Sequence, residues 1–265
     1  MYLFINWGPD AIAFHLGPIA VQWYGLFWGS GLMATFFIGQ YILRTLKRDE
    51  DKLTILIQYI FVLGIIGARL MQVFYYEHDY FFAHPEKIIA VWEGGLASHG
   101  GLIGGVLGLL IFCYRNPDYG IMWTLDHAAI AVLTLAGLIR IGNLFNSELY
   151  GTPTTMPWGF IFTHVDNVPR HPVVLYEAIS YFTLQLIQLY LFNRYKEAKP
   201  GLYVAVFFIG LFGTRFMLEF LKVPEGDLIF NAISSTQLLN IPFIITGFVF
   251  LYLMLNKKLS YSTTE

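Results

Sequence analysis

Charge is scarce in this sequence. Only 13 % of its 265 residues are Asp, Glu, Lys or Arg, about half the ~25 % of an ordinary soluble domain. That leaves too few polar groups to cover a water-facing surface, while 56 % of the residues are hydrophobic and 18 % aromatic. Cysteine is scarcer still. Cys113 stands alone in an apolar run, which excludes an intramolecular disulfide and a multi-cysteine metal site and reads as a small buried hydrophobe. A net charge of −2 with scattered basic residues excludes a nucleic-acid footprint. Histidines and carboxylates at metal-ligand spacing are missing, and no cofactor is expected. The opening "MYLFINWGPDAIAFHLGP" lacks a basic n-region and a small-residue cleavage site, so no cleavable signal peptide is expected there. Internal repeats and low-complexity segments are also missing, and one integral membrane domain over 1–265 is the simplest description.

Long apolar runs take the place of what is missing. Seven segments approach the ~20 residues that cross a bilayer core: 19–43, 53–76, 98–114, 121–141, 173–193, 202–221 and 236–255. The expected fold is all-α and polytopic. The third segment is rich in glycine, and Gly101, Gly105 and Gly108 predict a small-residue face for close helix packing. Lys and Arg set the orientation. Arg44, Lys47, Arg48, Lys52, Arg115, Arg194, Lys196, Lys199, Lys257 and Lys258 share one side, against Lys87, Arg170 and Lys222 on the other. The N-terminus is therefore expected outside and the C-terminus in the cytoplasm, with outward loops at 77–97 and 142–172.

In that topology Arg69, Arg140 and Arg215 all sit late in inside-to-outside helices and reach the outer face together. Tyr24, His99 and Glu177 lie early in the helices that start there, and Glu219 follows Arg215 by one turn. Charges in a spanning helix cost at least a few kcal/mol without a partner or water. One arginine at a helix end can simply lift its head to the interface. Three at one depth, with amides and carboxylates, point instead to phosphate recognition, which suits the planar, permanently charged guanidinium. In "LIRIGNLFNSELYG" the i, i+3 spacing lines Arg140, Asn143 and Asn146 along one face. Glu148 follows, placed to orient an arginine, and Gly151 permits the turn that ends the segment. Arg215 and Glu219, at i, i+4, are expected to share a face as an ion pair. His99, in "SHGG", has a side chain suited to proton transfer. His171 and Pro172 shape the entry to the fifth helix, and Asp126 and His127 suggest interhelical hydrogen bonds far from the cluster.

At "RIGNLFNSELYG" the chain resembles the prolipoprotein diacylglyceryl transferase family, whose signature is matched by Arg140, Gly142, Asn143, Asn146, Glu148, Tyr150 and Gly151. "WYGL" at 23–26, "GARL" at 67–70, "WEGGLASHGGLIGG" at 92–105, "HPVVLYE" at 171–177 and "RFMLEF" at 215–220 extend the resemblance over the first six helices. It implies transfer of a diacylglyceryl group from phosphatidylglycerol to the lipobox cysteine of a prolipoprotein, leaving a thioether and glycerol 1-phosphate. It further implies a bacterial inner-membrane enzyme acting among membrane lipids, taken here as a monomer. His99, Arg140, Arg215 and Tyr24 become candidate catalytic residues. Asn143, Asn146, Glu148, Gly151, Glu219 and Arg69 become candidate substrate-binding residues, with the carboxylates holding the arginines. The sequence departs from the family at Ile139, Gln22, Val173, Val174 and Thr152, which touches contacts around the headgroup and the fifth helix.

Two other classes fit the same polar residues. A transporter of an amphipathic anion would use the arginines as a binding site, but would be expected to show internal repeats and helices broken near the midplane. A non-catalytic membrane scaffold would leave the outer-end charges without a task.

Overall fold

The computed structural model describes residues 4–90, 97–223 and 233–261, with the side chains of Ile19, Ser98 and His99 outside that description. Ten α-helices follow one another among the described residues: α1 Trp23–Thr45, α2 Asp51–Met71, α3 His78–Ala83, α4 Ser98–Arg115, α5 Ile121–Ala131, α6 Leu133–Phe145, α7 Val173–Tyr195, α8 Leu202–Phe207, α9 Gly213–Leu218 and α10 Ser235–Leu255. Among the described residues, five stretches are long and apolar enough to cross a membrane: Trp23–Thr45, Asp51–Tyr76, Ile121–Phe145, Leu202–Leu221 and Ser235–Leu255. The chain is a multi-pass membrane protein. The other two expected spans coincide with α4, apolar over Gly100–Arg115, and with α7, whose buried residues include Glu177, Gln185 and Gln188. Large apolar side chains such as Phe37, Phe61, Leu186 and Phe248 face outward, as a hydrocarbon surround permits and water would not.

The fold is mostly helical, with five short strands among the described residues that apolar length did not foretell. β1 (Ile5–Trp7) pairs in parallel with β4 (Phe160–Phe162), which pairs antiparallel with β5 (Pro169–Arg170). β2 (Ile12–Leu16) and β3 (Ile19–Gln22) form a hairpin. Its turn contains Gly17 at φ +58°, the left-handed region that glycine enters without a Cβ penalty. This hairpin delays α1 to Trp23, whereas the expected first span begins at 19.

The chain packs as two compact units, 1–39 with 125–259, and 40–124 with 260–265. In the second, α2 and α4 meet through glycine. A Cβ on Gly104 would lie 2.0 Å from the Leu63 carbonyl oxygen, one on Gly108 2.5 Å from that of Tyr59, and one on Gly67 2.3 Å from that of Gly100. The crowded face is therefore Gly100, Gly104 and Gly108. The expected Gly101 and Gly105 sit one position off it, with ordinary contacts at 3.5 and 3.6 Å. Backbone cannot yield as a flexible side chain can, so Gly104→Val should destabilise the protein by about 3 kcal/mol. Gly105→Ala should leave it unchanged. Thermal melting of both purified variants checks this, and a Gly104→Val protein that melts with the wild type would refute the packing. The same unit holds a core of Leu43, Phe112, Cys113, Tyr119 and Trp123, so Cys113 is the small buried residue expected.

In the first unit, α5 and α6 are separated at Val132. Asp126, wholly buried, accepts from the backbone N–H of Gly201 and, at 2.8 Å, from that of Val204. A carboxylate at a helix N-terminus fills orphan donors and meets the positive end of the dipole. The expected interhelical role of Asp126 thus has a geometry: it caps α8, whose entry residue Gly201 has φ +87°. Further along, a π-helical turn, Phe208–Phe212, connects α8 to α9. Phe208 and Phe212 stack on Phe243 of α10, with centroids 6.0 and 4.4 Å away.

Candidate active site

The end of α6 organises the site. Glu148 N–H bonds to the Asn143 carbonyl at 3.0 Å and Ser147 N–H to that of Leu144 at 3.0 Å, while Ser147 has φ +54°. This is the double bond and left-handed residue of a Schellman stop, with serine where glycine is usual. Leu149 is also left-handed, at φ +54°. Such residues cost about 1–2 kcal/mol, and here the strain folds Glu148 back beneath the helix. Glu148 accepts from Asn143 Nδ2 at 2.9 Å and Asn146 Nδ2 at 3.1 Å, and Asn143 Oδ1 accepts from Arg140 at 3.3 Å.

The helix therefore ends six residues before Gly151, which has another task. A Cβ there would lie 2.6 Å from the His171 carbonyl oxygen and 2.7 Å from that of Leu221. Gly151 N–H bonds to His171 O at 2.9 Å, and Thr152 N–H to Leu221 O at 2.8 Å. Gly151 lets the segment after α6 run between the start of α7 and the end of the α9 segment, drawing three charged elements together.

Those elements carry an ion network. Arg140 Nε lies 2.9 Å from Glu177 Oε2, and Lys222 Nζ lies 3.0 Å from Glu177 Oε1. Lys222 also lies 3.5 Å from Glu219, and Ser234 Oγ donates to Glu219 Oε1 at 3.0 Å. Glu177 is fully buried, and Arg140, Lys222 and Glu219 are nearly so. A small cavity of about 100 Å³ opens beside them, lined by Arg140, Tyr150, Arg215, Glu219, Lys222 and Thr236, among others. Arg215 has no ion pair or hydrogen bond among the described residues, and its Nε is buried. Three cations thus meet one carboxylate at the cavity wall and a second, Glu177, behind it. An anion is the ligand that such a wall would take.

The pairing differs from the expected one. Glu148 holds the amides, Glu177 holds Arg140, and Glu219 turns to Lys222 and Ser234 instead of Arg215. Tyr24 packs against the same helix, where a Cβ on Gly142 would lie 2.9 Å from its ring. Arg69, buried in the other unit, binds the carbonyls of Ile88 at 2.8 Å and Ala90 at 3.3 Å, and stands 4.7 Å over the Phe81 ring. Those contacts tie down the loop that follows α3. His99 occupies the second position of α4, its side chain outside the described residues. His171 Nδ1 lies 3.3 Å from the Tyr176 hydroxyl, bracing the start of α7.

The profile of the prolipoprotein diacylglyceryl transferase family matches residues 11–253. The chain belongs to this family. Similar curated proteins, each named phosphatidylglycerol–prolipoprotein diacylglyceryl transferase, come from several bacteria. That of Tolumonas auensis is 40 % identical, covering 95 % of this chain and 98 % of the relative. That of Chloroherpeton thalassium is 39 % identical, covering 95 % and 94 %. That of Porphyromonas gingivalis is 37 % identical, covering 92 % of each.

For this member of the diacylglyceryl transferase family, sequence reasoning put Glu177 in the outer polar cluster without a role and left Lys222 and Ser234 out of the site. Lys222 stood three residues after Glu219, a helical spacing that could have flagged it. Ser234 is seven residues beyond the nearest charged residue in the sequence, and its role depends on a contact 15 residues back. The departures from the family pattern have local places. Val173 and Val174 are fully buried, Val174 against Leu144, Phe160 and Phe162, and Thr152 Oγ1 donates to Leu221 O at 3.3 Å. In the loop between α6 and α7, Arg170 binds Asp166 at 2.6 Å and holds its carboxyl below the usual carboxylate range. Arg170 also reaches the Gly151 carbonyl at 3.3 Å. Any stability from this exposed pair is present above the unfolded carboxylate pKa and fades as pH falls through the depressed one.

Proposed function

We propose that this chain transfers the diacylglyceryl group of phosphatidylglycerol to the lipobox cysteine thiol of a prolipoprotein, forming a thioether and releasing glycerol 1-phosphate. The observation that carries this reading is the cavity walled by Arg140, Arg215 and Lys222, with Arg215 unpaired among the described residues, in a membrane protein whose relatives bear that activity in their name. In the reaction the thiol sulfur bonds to the sp³ glyceryl carbon, the carbon–oxygen bond to phosphate breaks, and the thiol proton is taken by a base. Charge builds on the departing phosphate, so Arg140 and Arg215 act most strongly in the transition state.

Asn143 and Asn146, oriented by Glu148, meet the headgroup oxygens, and Gly151 and Glu219 shape the pocket. Tyr24 lies against the helix that presents Arg140. His99 is assigned as the base, and Arg69 as a further substrate-binding residue. The enzyme works as a monomer in the bacterial inner membrane, with seven spans, the N-terminus outside and the C-terminus in the cytoplasm. Incubating purified protein with phosphatidylglycerol and a lipobox peptide should add one diacylglyceryl unit to the peptide mass. No gain, where a known family member works, would sink this reading, and full turnover of His99→Gln across pH would remove His99 as the base.

A further inference from the structure

Arg215 and Glu219 are spaced for an i, i+4 ion pair, yet the structure keeps them apart. Glu219 is held from two directions. Lys222 Nζ stands 3.5 Å from its Oε2, and Ser234 Oγ donates to its Oε1 at 3.0 Å. Both holders are themselves anchored. Lys222 is bound to the buried Glu177 at 3.0 Å. Ser234 belongs to the capping box of α10, accepting from the Gln237 N–H at 3.1 Å while its own N–H donates to Gln237 Oε1 at 2.9 Å. Gln237 Nε2 in turn donates to the Phe216 carbonyl at 3.2 Å, beside Arg215 in sequence. Arg215 is left without a partner among the described residues, with its Nε buried.

We propose that Lys222 and Ser234 form a latch that holds Glu219 away from Arg215 and so keeps the Arg215 guanidinium free for the phosphate. The proposal rests on the reading of this cavity as the headgroup site. Both are positioning residues that act through Glu219. Without the latch, the nearest cation open to Glu219 is Arg215, one turn earlier on its own helix. A guanidinium already bonded to a carboxylate has fewer donors and less net charge to offer an anion. Lys222 also neutralises Glu177, so its loss would leave that carboxylate to Arg140 alone. The groups facing Lys222 are Glu177 from α7 and Glu219 from its own segment, with Arg140 and Arg215 on the cavity wall.

The test measures glycerol 1-phosphate binding by calorimetry, together with kcat/KM for phosphatidylglycerol, on the full-length detergent-purified protein. Lys222→Met is expected to weaken glycerol 1-phosphate binding and lower kcat/KM about tenfold, Ser234→Ala about threefold, and Lys222→Arg less than threefold. In a Glu219→Gln background, where no carboxylate is left to swing onto Arg215, adding Lys222→Met should weaken binding less than threefold. A purely structural lysine would cost the same in both backgrounds, and that result overturns the latch. So does wild-type binding in Lys222→Met. If Lys222→Met does not fold, Lys222→Gln and Ser234→Ala carry the same comparison. A wild-type protein with no transfer activity would instead refute the reading of the site, whatever the variants bind.

Discussion

Arg215→Ala abolishes transfer, with a loss in kcat/KM of about 10³-fold or more, and Arg140→Ala does the same. Removing one neutral donor from a charge-stabilising site costs about 10²–10³ in rate. Each of these arginines is a full charge in a partly buried pocket, where screening is weaker than in open water. Among the described residues Arg215 also has no ion pair or hydrogen bond to strand, so its loss should fall on chemistry more than on folding. Arg140 differs, because its removal leaves Glu177 to Lys222 alone. Arg215→Ala should therefore melt like the wild type, whereas Arg140→Ala should melt lower. Lys257→Ala, just past the end of α10, should keep activity within about twofold, in line with the small effects usual at exposed sites. Peptide mass gain and thermal melting together check all three, and an active Arg215→Ala enzyme would refute the phosphate role.

The second large effect belongs to Glu177. Its carboxylate is fully buried and bridges Arg140 and Lys222, so Glu177→Ala leaves two nearly buried cations without their common partner. Breaking a buried ion pair from one side costs about 3–5 kcal/mol, equivalent to roughly 10 °C or more in melting temperature for a chain of this size. Glu177→Gln keeps an oxygen for one cation and should lose about half as much. Activity should fall in both, because Arg140 loses the contact that fixes its guanidinium. A Glu177→Ala protein that melts and turns over normally would mean that the cations reach water and that the network is not needed.

Much of this was legible from residue type and spacing. Arg140, Asn143 and Asn146 were expected on one helical face, and the hydrogen bonds joining them through Glu148 bear that out. The partners of the arginines were not legible, because pairing across helices depends on which segments Gly151 lets together. The i, i+4 rule pointed Glu219 at Arg215, and tertiary contacts from Lys222 and Ser234 overrode it. The stop of α6 was hidden for a similar reason. Its left-handed residue is Ser147, so the sequence signal for a helix end, a glycine, appears only at 151 and serves a different contact. The glycine face of α4 was expected in kind but one residue out of register, since a run this rich in glycine offers two adjacent small stripes. The N-terminal strands escaped because a short apolar hairpin ahead of a spanning helix looks like more helix.

The Asp126 cap has a consequence for how the protein is made. Asp126 leaves the ribosome 75 residues before Gly201 and 78 before Val204, whose N–H groups it will bind. At bacterial synthesis rates of about 5–20 residues per second, that is a delay of roughly 4–15 s. During that interval a carboxylate destined for the interior lacks these two donors, and a hydrated surround is the one that costs it least. The timing of translation, and not only the finished contacts, then becomes part of how this membrane protein reaches its fold.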